Sequence, residues 1–253
     1  MKTRLDKALV ERGLVASRER AQALILAGRV LVAEQRIEKP GTAVAEGAAL
    51  RIIGEDLKFV SRGGLKLERA LEHWSISLEG RACLDVGAST GGFTDCMLQQ
   101  GAASVLAVDT GYGQIAHKLR VDPRVKLGER CNARLLRPGE LAGTLQPPPS
   151  FLAMDVSFIS ATLVLPAVLS ALAAPGQLWS GEGVVLIKPQ FEAGRENVGK
   201  GGIVRDESAR ELAIARVRDC ITSLSGSNIE VIDSPITGAE GNHEYLLHAF
   251  FNP

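Results

Sequence analysis

One run constrains the fold of this chain more than any other: Leu84-Asp85-Val86-Gly87-Ala88-Ser89-Thr90-Gly91-Gly92-Phe93. An apolar strand breaks off into a turn of small residues, and the turn opens a helix. Small side chains there let the backbone come close to a ligand, as at the first crevice of a doubly wound sheet. A dinucleotide-binding glycine pattern competes for the same segment but fits it poorly. Ser89 stands where its second glycine belongs, and the acid Asp85 sits just before the turn.

Around this run the hydrophobic period alternates. Strand-length apolar runs occupy 82–86, 104–108, 151–154, 183–187, 229–232 and 245–250. Helical spacing fits 93–99, 160–173 and 206–224, the last with Ile214, Val217, Ile221 and Leu224 in one stripe, and Ser61 is placed to cap a helix over 64–73. Such alternation predicts an α/β fold, a mostly parallel sheet covered by helices on both faces. The front of the chain reads differently. Leu5, Ala8 and Leu9 recur at helical spacing, Ser17 can cap a second helix over 18–27 that Gly28 ends, and short strands at 30–32 and 50–53 flank the turn Lys39-Pro40-Gly41. This is a compact α+β unit near the lower size limit for independent folding. The polar stretch Gly54-Glu55-Asp56 reads as a linker, which predicts domains over 1–58 and 59–253.

Charge separates the two parts. Residues 1–69 carry fourteen Lys and Arg against nine Asp and Glu; the rest carries fifteen against twenty, so a net charge of zero conceals a basic front. That asymmetry suits a front unit that meets phosphate, although a solvated basic face would look the same. The longest apolar runs are strand-sized, far short of the roughly 20 residues of a membrane helix. The charged start with no apolar stretch behind it argues against a secretory signal. Cys83, Cys96, Cys131 and Cys220 are scattered, with no C-x-x-C pair, which favours reduced thiols in a cytoplasmic protein over a zinc or disulfide framework. His243-Glu244-Tyr245-Leu246-Leu247-His248 is not a zinc motif, since its histidines are five apart in a strand-like run.

Two acids define a candidate ligand. Asp85, at the end of the first strand, suits a ligand with a cationic amino-acid part, and Asp109, closing the second strand, can accept from both hydroxyls of a ribose. Together they describe S-adenosylmethionine. The residues assigned to it are Asp85, Gly87, Ser89, Thr90, Gly91, Gly92 and Phe93 of the turn, with Asp109, Asn132 and Asp155. A plain tight turn with a capping acid is the alternative. The sulfonium methyl is already a good electrophile and needs no metal; when the nucleophile is a sugar hydroxyl, the site needs a base such as a desolvated lysine near another cation. Lys188 ends the apolar run Val184-Val185-Leu186-Ile187 at the carboxyl edge where open sheets bind ligands, and Asp155 ends the 151–154 strand on the same edge. Lys66 and Glu244 would complete a catalytic cluster of two lysines and two carboxylates. For each alone, a surface salt bridge is the competing reading.

Four motifs then resemble a known family: Ser61-Arg62-Gly63-Gly64-Leu65-Lys66-Leu67, Asp85 through Thr94, Met154-Asp155-Val156-Ser157-Phe158, and Lys188-Pro189-Gln190-Phe191-Glu192-Ala193-Gly194-Arg195. In this order they are similar to the TlyA family, also labelled hemolysin A, of ribosomal RNA cytidine 2'-O-methyltransferases. The resemblance implies a Rossmann-like class I methyltransferase behind a small S4-type RNA-binding domain, the latter matched by Arg4-Leu5-Asp6, Ser17-Arg18-Glu19-Arg20-Ala21 and Gly28-Arg29-Val30. It implies a Lys66, Asp155, Lys188, Glu244 tetrad. Ribosomal RNA or a ribosomal subunit is the expected partner, met by Arg4, Lys7, Arg18, Arg20, Arg29, Lys39, Arg62, Arg195 and Lys200. The hemolysin label would imply membrane damage, for which the sequence offers no amphipathic or spanning segment. Base methylation fits less well: the chain lacks the Asn/Asp-Pro-Pro-aromatic turn of amino-group methylation, and no cysteine stands where C5 methylation needs one. A pseudouridine synthase, which can also carry an S4-like front, would not need the Asp85 turn. The segment 189–204 exceeds the usual strand-to-helix loop length and reads as a mobile lid over the target nucleotide.

Overall fold

The computed structural model describes residues 2–15, 17–26, 28–53, 58–238 and 240–251, so the expected linker Gly54-Glu55-Asp56 lies outside the described residues. Internal contacts divide the chain into two units, Met1–Asp56 and Leu57–Pro253.

The front unit contains β1 (Lys2–Arg4), α1 (Leu5–Glu11), α2 (Arg18–Leu26), β2 (Val30–Val32), β3 (Gln35–Arg36), β4 (Ala43–Ala45) and β5 (Leu50–Ile52). β1 pairs antiparallel with β4, and a small sheet runs β3-β2-β5. Leu5, Leu9, Ala21, Leu24, Ile25, Val30 and Val44 pack as its core, each almost fully buried. Removing each of the larger of these side chains from water is worth about 1.5–3 kcal/mol. The Ser17 hydroxyl accepts the Arg20 N–H at 3.2 Å, as a capping serine does. Gly28 ends the helix at φ +66°, where a Cβ would also lie 3.1 Å from the Arg36 side chain.

The second unit contains α3 (Gly63–His73), β6 (Ala82–Val86), α4 (Gly92–Gln99), β7 (Ser104–Val108), α5 (His117–Arg120), β8 (Val125–Gly128), β9 (Phe151–Met154), α6 (Ala161–Leu172), β10 (Gly181–Ile187), α7 (Pro189–Glu192), α8 (Glu207–Ser223), β11 (Gly226–Asp233) and β12 (Tyr245–Phe251). Among the described residues one seven-stranded sheet runs β8-β7-β6-β9-β10-β12-β11, with β12 antiparallel to β10 and β11 and the other pairs parallel. From β6 the chain winds outward to β8, then returns to β9 on the other side. The order therefore reverses between β6 and β9, and ligands bind at the carboxyl ends of strands at such a point.

Strand alternation distributes the core over both faces. Leu84, Val86, Leu152, Met154, Val185 and Ile187 enter one apolar cluster with α6 and α8. Cys83, Phe151, Ala153, Val184 and Leu186 enter the other with α3 and α4. The same period of two turns Asp85 toward α4. Three expectations change in detail. Ser61 does not cap α3: Arg62 occupies that position without a side-chain cap bond, and Ser61 packs so tightly on Gly92 that a Cβ there would lie 2.3 Å from its Oγ. β10 begins at Gly181 and β11 at Gly226, each earlier than its apolar run. The buried stripe of α8 is Ala209, Ala213, Val217 and Ile221, while Ile214 and Leu224 are only partly buried.

Candidate active site

The carboxyl ends of β6, β9 and β10 open into two adjoining cavities. The first, about 340 Å³, is lined by Lys66, Asp155, Lys188 and Glu244 together with Ser61, Arg62 and the turn residues Gly87, Ser89, Thr90, Gly92 and Phe93. The second, about 300 Å³, is lined by Asp109, Asn132, Cys131 and Val108 among others, and Gly87, Ser89, Asp155, Ser157 and Phe158 belong to both. Four residues from α3, the β9 end, the β10 end and the approach to β12 thus face one space.

They do so as two ion pairs. Lys66 Nζ donates to Glu244 Oε2 at 2.5 Å, with Lys66 8% and Glu244 2% exposed. Lys188 Nζ lies 2.5 Å from Asp155 Oδ1 as a charge contact outside hydrogen-bond alignment, and donates its aligned hydrogen bond to Ser157 Oγ at 2.7 Å. Ser157 stands in the Met154–Phe158 motif, but the sequence does not carry the direction of the Lys188 side chain that brings the two together. Phe158 follows at φ 64° and is 90% exposed, a rare conformation for a bulky residue. Its ring tilts against Phe191, centroids 5.5 Å apart.

The turn is built for close approach. Gly87 has φ +86°, and a Cβ there would lie 2.4 Å from the Asp155 carbonyl oxygen; Gly91 has φ +95° and would strike Leu119 at 2.3 Å. Gly91 and Asp85 line neither cavity. Asp85 is fully buried behind the turn, where its Oδ2 accepts the Thr94 hydroxyl at 2.6 Å and its Oδ1 has no partner. Burial pushes this carboxyl up to about 7, against the Thr94 hydrogen bond and with nearby Asp155 adding to the rise. Asp109 accepts the Ser89 N–H at 2.8 Å on one oxygen and the Gly111 N–H at 2.6 Å on the other. Each oxygen keeps a second lone pair, and Asp109 lines the second cavity. Asn132 caps a short 3-10 turn by accepting the Arg134 N–H at 3.2 Å.

The segment after β10 carries local structure and side-chain ties to its surroundings. Its first part folds as α7 and a 3-10 turn (Arg195–Asn197). Buried Glu192 takes the Ser160 hydroxyl at 2.5 Å and the Ala161 N–H at 2.6 Å, and Arg216 donates to the Glu192 carbonyl at 2.6 Å. Val204 N–H is held by Asn242 at 3.0 Å. Of this segment's polar residues Gln190, Arg195, Asn197 and Lys200, only Gln190 lines the cavity.

Among the front-unit cations, Arg4 donates twice to buried Asp6, at 3.0 and 2.9 Å, and Arg18 once, at 3.0 Å; both stay about half exposed. Lys7 pairs with Glu11 at 3.4 Å, Arg29 Nε donates to the Ile53 carbonyl at 3.0 Å, and Lys39 is exposed. Arg62, Arg195 and Lys200 are exposed on the second unit. Among the described residues no helix is long and apolar enough to cross a membrane, and no three His, Cys, Asp or Glu side chains are grouped to hold a metal ion.

Comparison with known proteins agrees with this architecture. A family model described as FtsJ-like methyltransferase matches residues 59–251, and an S4 domain model matches residues 3–50. YqxC of Bacillus subtilis, named as an rRNA methyltransferase, is 47% identical over 98% of this chain and 85% of its own length. The 16S/23S rRNA (cytidine-2'-O)-methyltransferase TlyA of Mycobacterium tuberculosis is 43% identical over 97% of this chain and 89% of its own. A solved structure from Streptococcus thermophilus, named as a hemolysin, is 43% identical with a TM-score of 0.74, covering 99% of this chain and 89% of that one. With a class I methyltransferase sheet behind an S4 domain, the chain belongs to the FtsJ-like methyltransferases, in the group named TlyA and hemolysin A.

Proposed function

We propose that this protein transfers a methyl group from S-adenosylmethionine to the 2'-hydroxyl of a cytidine in ribosomal RNA. The observation that carries the reading is the convergence of Lys66, Asp155, Lys188 and Glu244 on a cavity continuous with one lined by Asp109 and Asn132. The rRNA (cytidine-2'-O)-methyltransferase named among the relatives supplies the substrate class.

The cofactor fits what the residues offer. Gly87 leaves room that a Cβ would fill, Asp109 keeps lone pairs and lines the second cavity, and Asp85 keeps an unpartnered buried oxygen beneath the turn. Gly87, Ser89, Thr90, Gly92 and Phe93 would hold its amino-acid end, with Asp85 bracing the turn from beneath through Thr94, Asp109 would hold its ribose, and Asn132 its base side. When bound, it supplies the methyl as a sulfonium, which becomes a neutral thioether once the group has left. Lys188 accepts the proton of the target hydroxyl, and Asp155, which lines both cavities, holds the Lys188 amine in the first. Lys66, fixed by Glu244, faces the same space and orients the ribose by donating to its oxygens. Arg4, Arg18, Arg20 and the other basic residues of the front unit meet RNA phosphates, with Arg62, Arg195 and Lys200 doing so on the second unit.

The test is mass spectrometry of ribosomal RNA incubated with the protein and labelled S-adenosylmethionine, paired with calorimetry of cofactor binding. Wild type should label a cytidine ribose; Lys188→Ala should bind the cofactor as wild type does and transfer no methyl group. Normal turnover by Lys188→Ala would overturn the assignment of the base.

A further inference from the structure

We infer that Ser157 is a positioning residue for the reaction, fixing the direction in which the Lys188 amine presents its lone pair. The inference rests on the function proposed above and adds a residue to its machinery.

A lysine that takes a proton must do so as a neutral amine, with two N–H bonds and one lone pair on Nζ. Rotation about the terminal C–N bond exchanges those three directions, so a base held only by charge has its lone pair in the right place for part of the time. Asp155 holds Lys188 in this undirected way: the 2.5 Å approach to Oδ1 is a charge contact outside hydrogen-bond alignment. Coulomb attraction depends on distance and fixes no rotation. Ser157 supplies the direction. Its Oγ accepts an aligned hydrogen bond from Nζ at 2.7 Å, and a hydrogen bond weakens steeply once it is bent. One N–H is thereby committed to Ser157 and the other faces the Asp155 carboxylate. With the rotation fixed by Ser157, the lone pair is left a defined direction on Nζ, and Lys188 lines the cavity in which a target hydroxyl would meet it.

Ser157 is also at the right place for this role. It lines both cavities, so it stands where the space beside Lys188 meets the space beside Asp109. It lies two residues after Asp155 in the chain, and the positive φ of Phe158 turns the chain immediately after it. In the reaction the O2'–H bond breaks and its proton ends on Nζ, while the oxygen electron pair forms the new bond to the methyl carbon as that carbon's bond to the sulfonium sulfur breaks and leaves its pair on sulfur. Nζ then carries three N–H bonds and returns one proton to solvent before the next turnover.

The experiment compares wild type, Ser157→Ala and Ser157→Thr in full-length protein. It measures methyl transfer to ribosomal RNA across pH and S-adenosylmethionine affinity by calorimetry. Ser157→Ala should lower kcat by roughly 10- to 100-fold, a part of the roughly 10²–10⁴-fold that a positioned general base contributes. Cofactor affinity and the KM for RNA should not change, the acid limb of the pH–kcat profile should move, and Ser157→Thr, which keeps the hydroxyl, should restore most of the rate. A Ser157→Ala enzyme within twofold of wild-type kcat would overturn the inference. So would a loss of rate that leaves the limb in place and that threonine does not rescue, because that is the signature of damaged packing. If wild type itself transfers no methyl group to ribosomal RNA, the proposed function fails; if wild type is active and Ser157→Ala equally so, only the role of Ser157 fails.

Discussion

Lys66 and Glu244 are 178 residues apart in the chain, yet Nζ and Oε2 meet at 2.5 Å with both side chains buried. The contact joins α3 at the front of the second unit to the approach to β12 near its end, so it closes the cavity as well as lining it. A Cβ on Gly238 would lie 2.6 Å from Glu244 Oε1, so the loop before β12 is pressed onto the same carboxylate.

Breaking this pair from one side should cost more than removing it. Glu244→Ala leaves a buried ammonium without its counter-charge, worth about 3 kcal/mol, the lower end of the usual range because cavity water reaches Nζ. The double variant Lys66→Met, Glu244→Ala removes the stranded charge and should recover part of that loss, while restoring no methyl transfer. Urea midpoints of the two variants decide the matter. A double variant no more stable than Glu244→Ala would show that the two charges do not depend on each other.

A pH dependence follows from Asp85. Its folded carboxyl titrates at about 7, raised from an ordinary value near 3.8, because burial disfavours the charged form. For a raised acid the folded state binds the proton more tightly than the unfolded chain does. The stabilisation is therefore complete below about pH 4 and is lost as pH rises through about 7. Over that window one proton gives a slope of at most about 1.4 kcal/mol per pH unit. Asp85→Asn keeps an acceptor for the Thr94 hydroxyl and removes the titration, so its denaturation midpoint should vary less between pH 4 and 7 than that of wild type. Parallel curves would rule out a protonated Asp85.

How much of this could be read from the sequence depends on how local each signal was. The six apolar runs marked six sheet strands; β6, β7 and β9 show as continuous runs because a buried parallel strand must be apolar on both faces, whereas the edge strand β11 shows only in the short run Ile229-Glu230-Val231-Ile232. β8 (Val125–Gly128) escaped: it is an edge strand, only partly buried, and Lys126 is exposed within it. β1, β3 and β4 have two or three residues each, too few to show a period. Within the site, Asp155, Lys188 and Glu244 were legible because each ends or enters an apolar run at the sheet edge. Asp85 was legible as an acid beside the turn, but its orientation follows from strand parity, which turns it to Thr94 rather than the cavity. The lid expectation for 189–204 rests on the length, glycines and polar donors of the segment, none of which carries its side-chain ties. Glu192, whose carboxylate ties α7 to the start of α6, has no local sequence signature as a brace.

The front unit should be fastened by Asp6. This carboxylate is fully buried in α1 and accepts two hydrogen bonds from Arg4, with others from Arg18, Gln22 and the Lys7 N–H. The Arg4 hydrogen bonds hold it far below the usual carboxylate range, those of Gln22 and Arg18 adding to the effect and burial opposing it. For a depressed acid the sign reverses relative to Asp85: its stabilisation is present above the ordinary value near 3.8 and disappears as pH falls below it. Asp6→Asn keeps the shape and removes the charge that Arg4 and Arg18 address. Hydrogen bonds to a charged group are worth about 1.5–3 kcal/mol. At neutral pH, amides of α1, α2 and β2 should therefore exchange about 10- to 100-fold faster in the variant, while those of β6, β9 and β10 exchange at wild-type rates. Hydrogen exchange with mass spectrometry resolves the two sets in one experiment. Equal protection of α1 and α2 in both proteins would mean that the apolar contacts of Leu5, Leu9, Leu24 and Ile25 hold the unit without the Asp6 cluster.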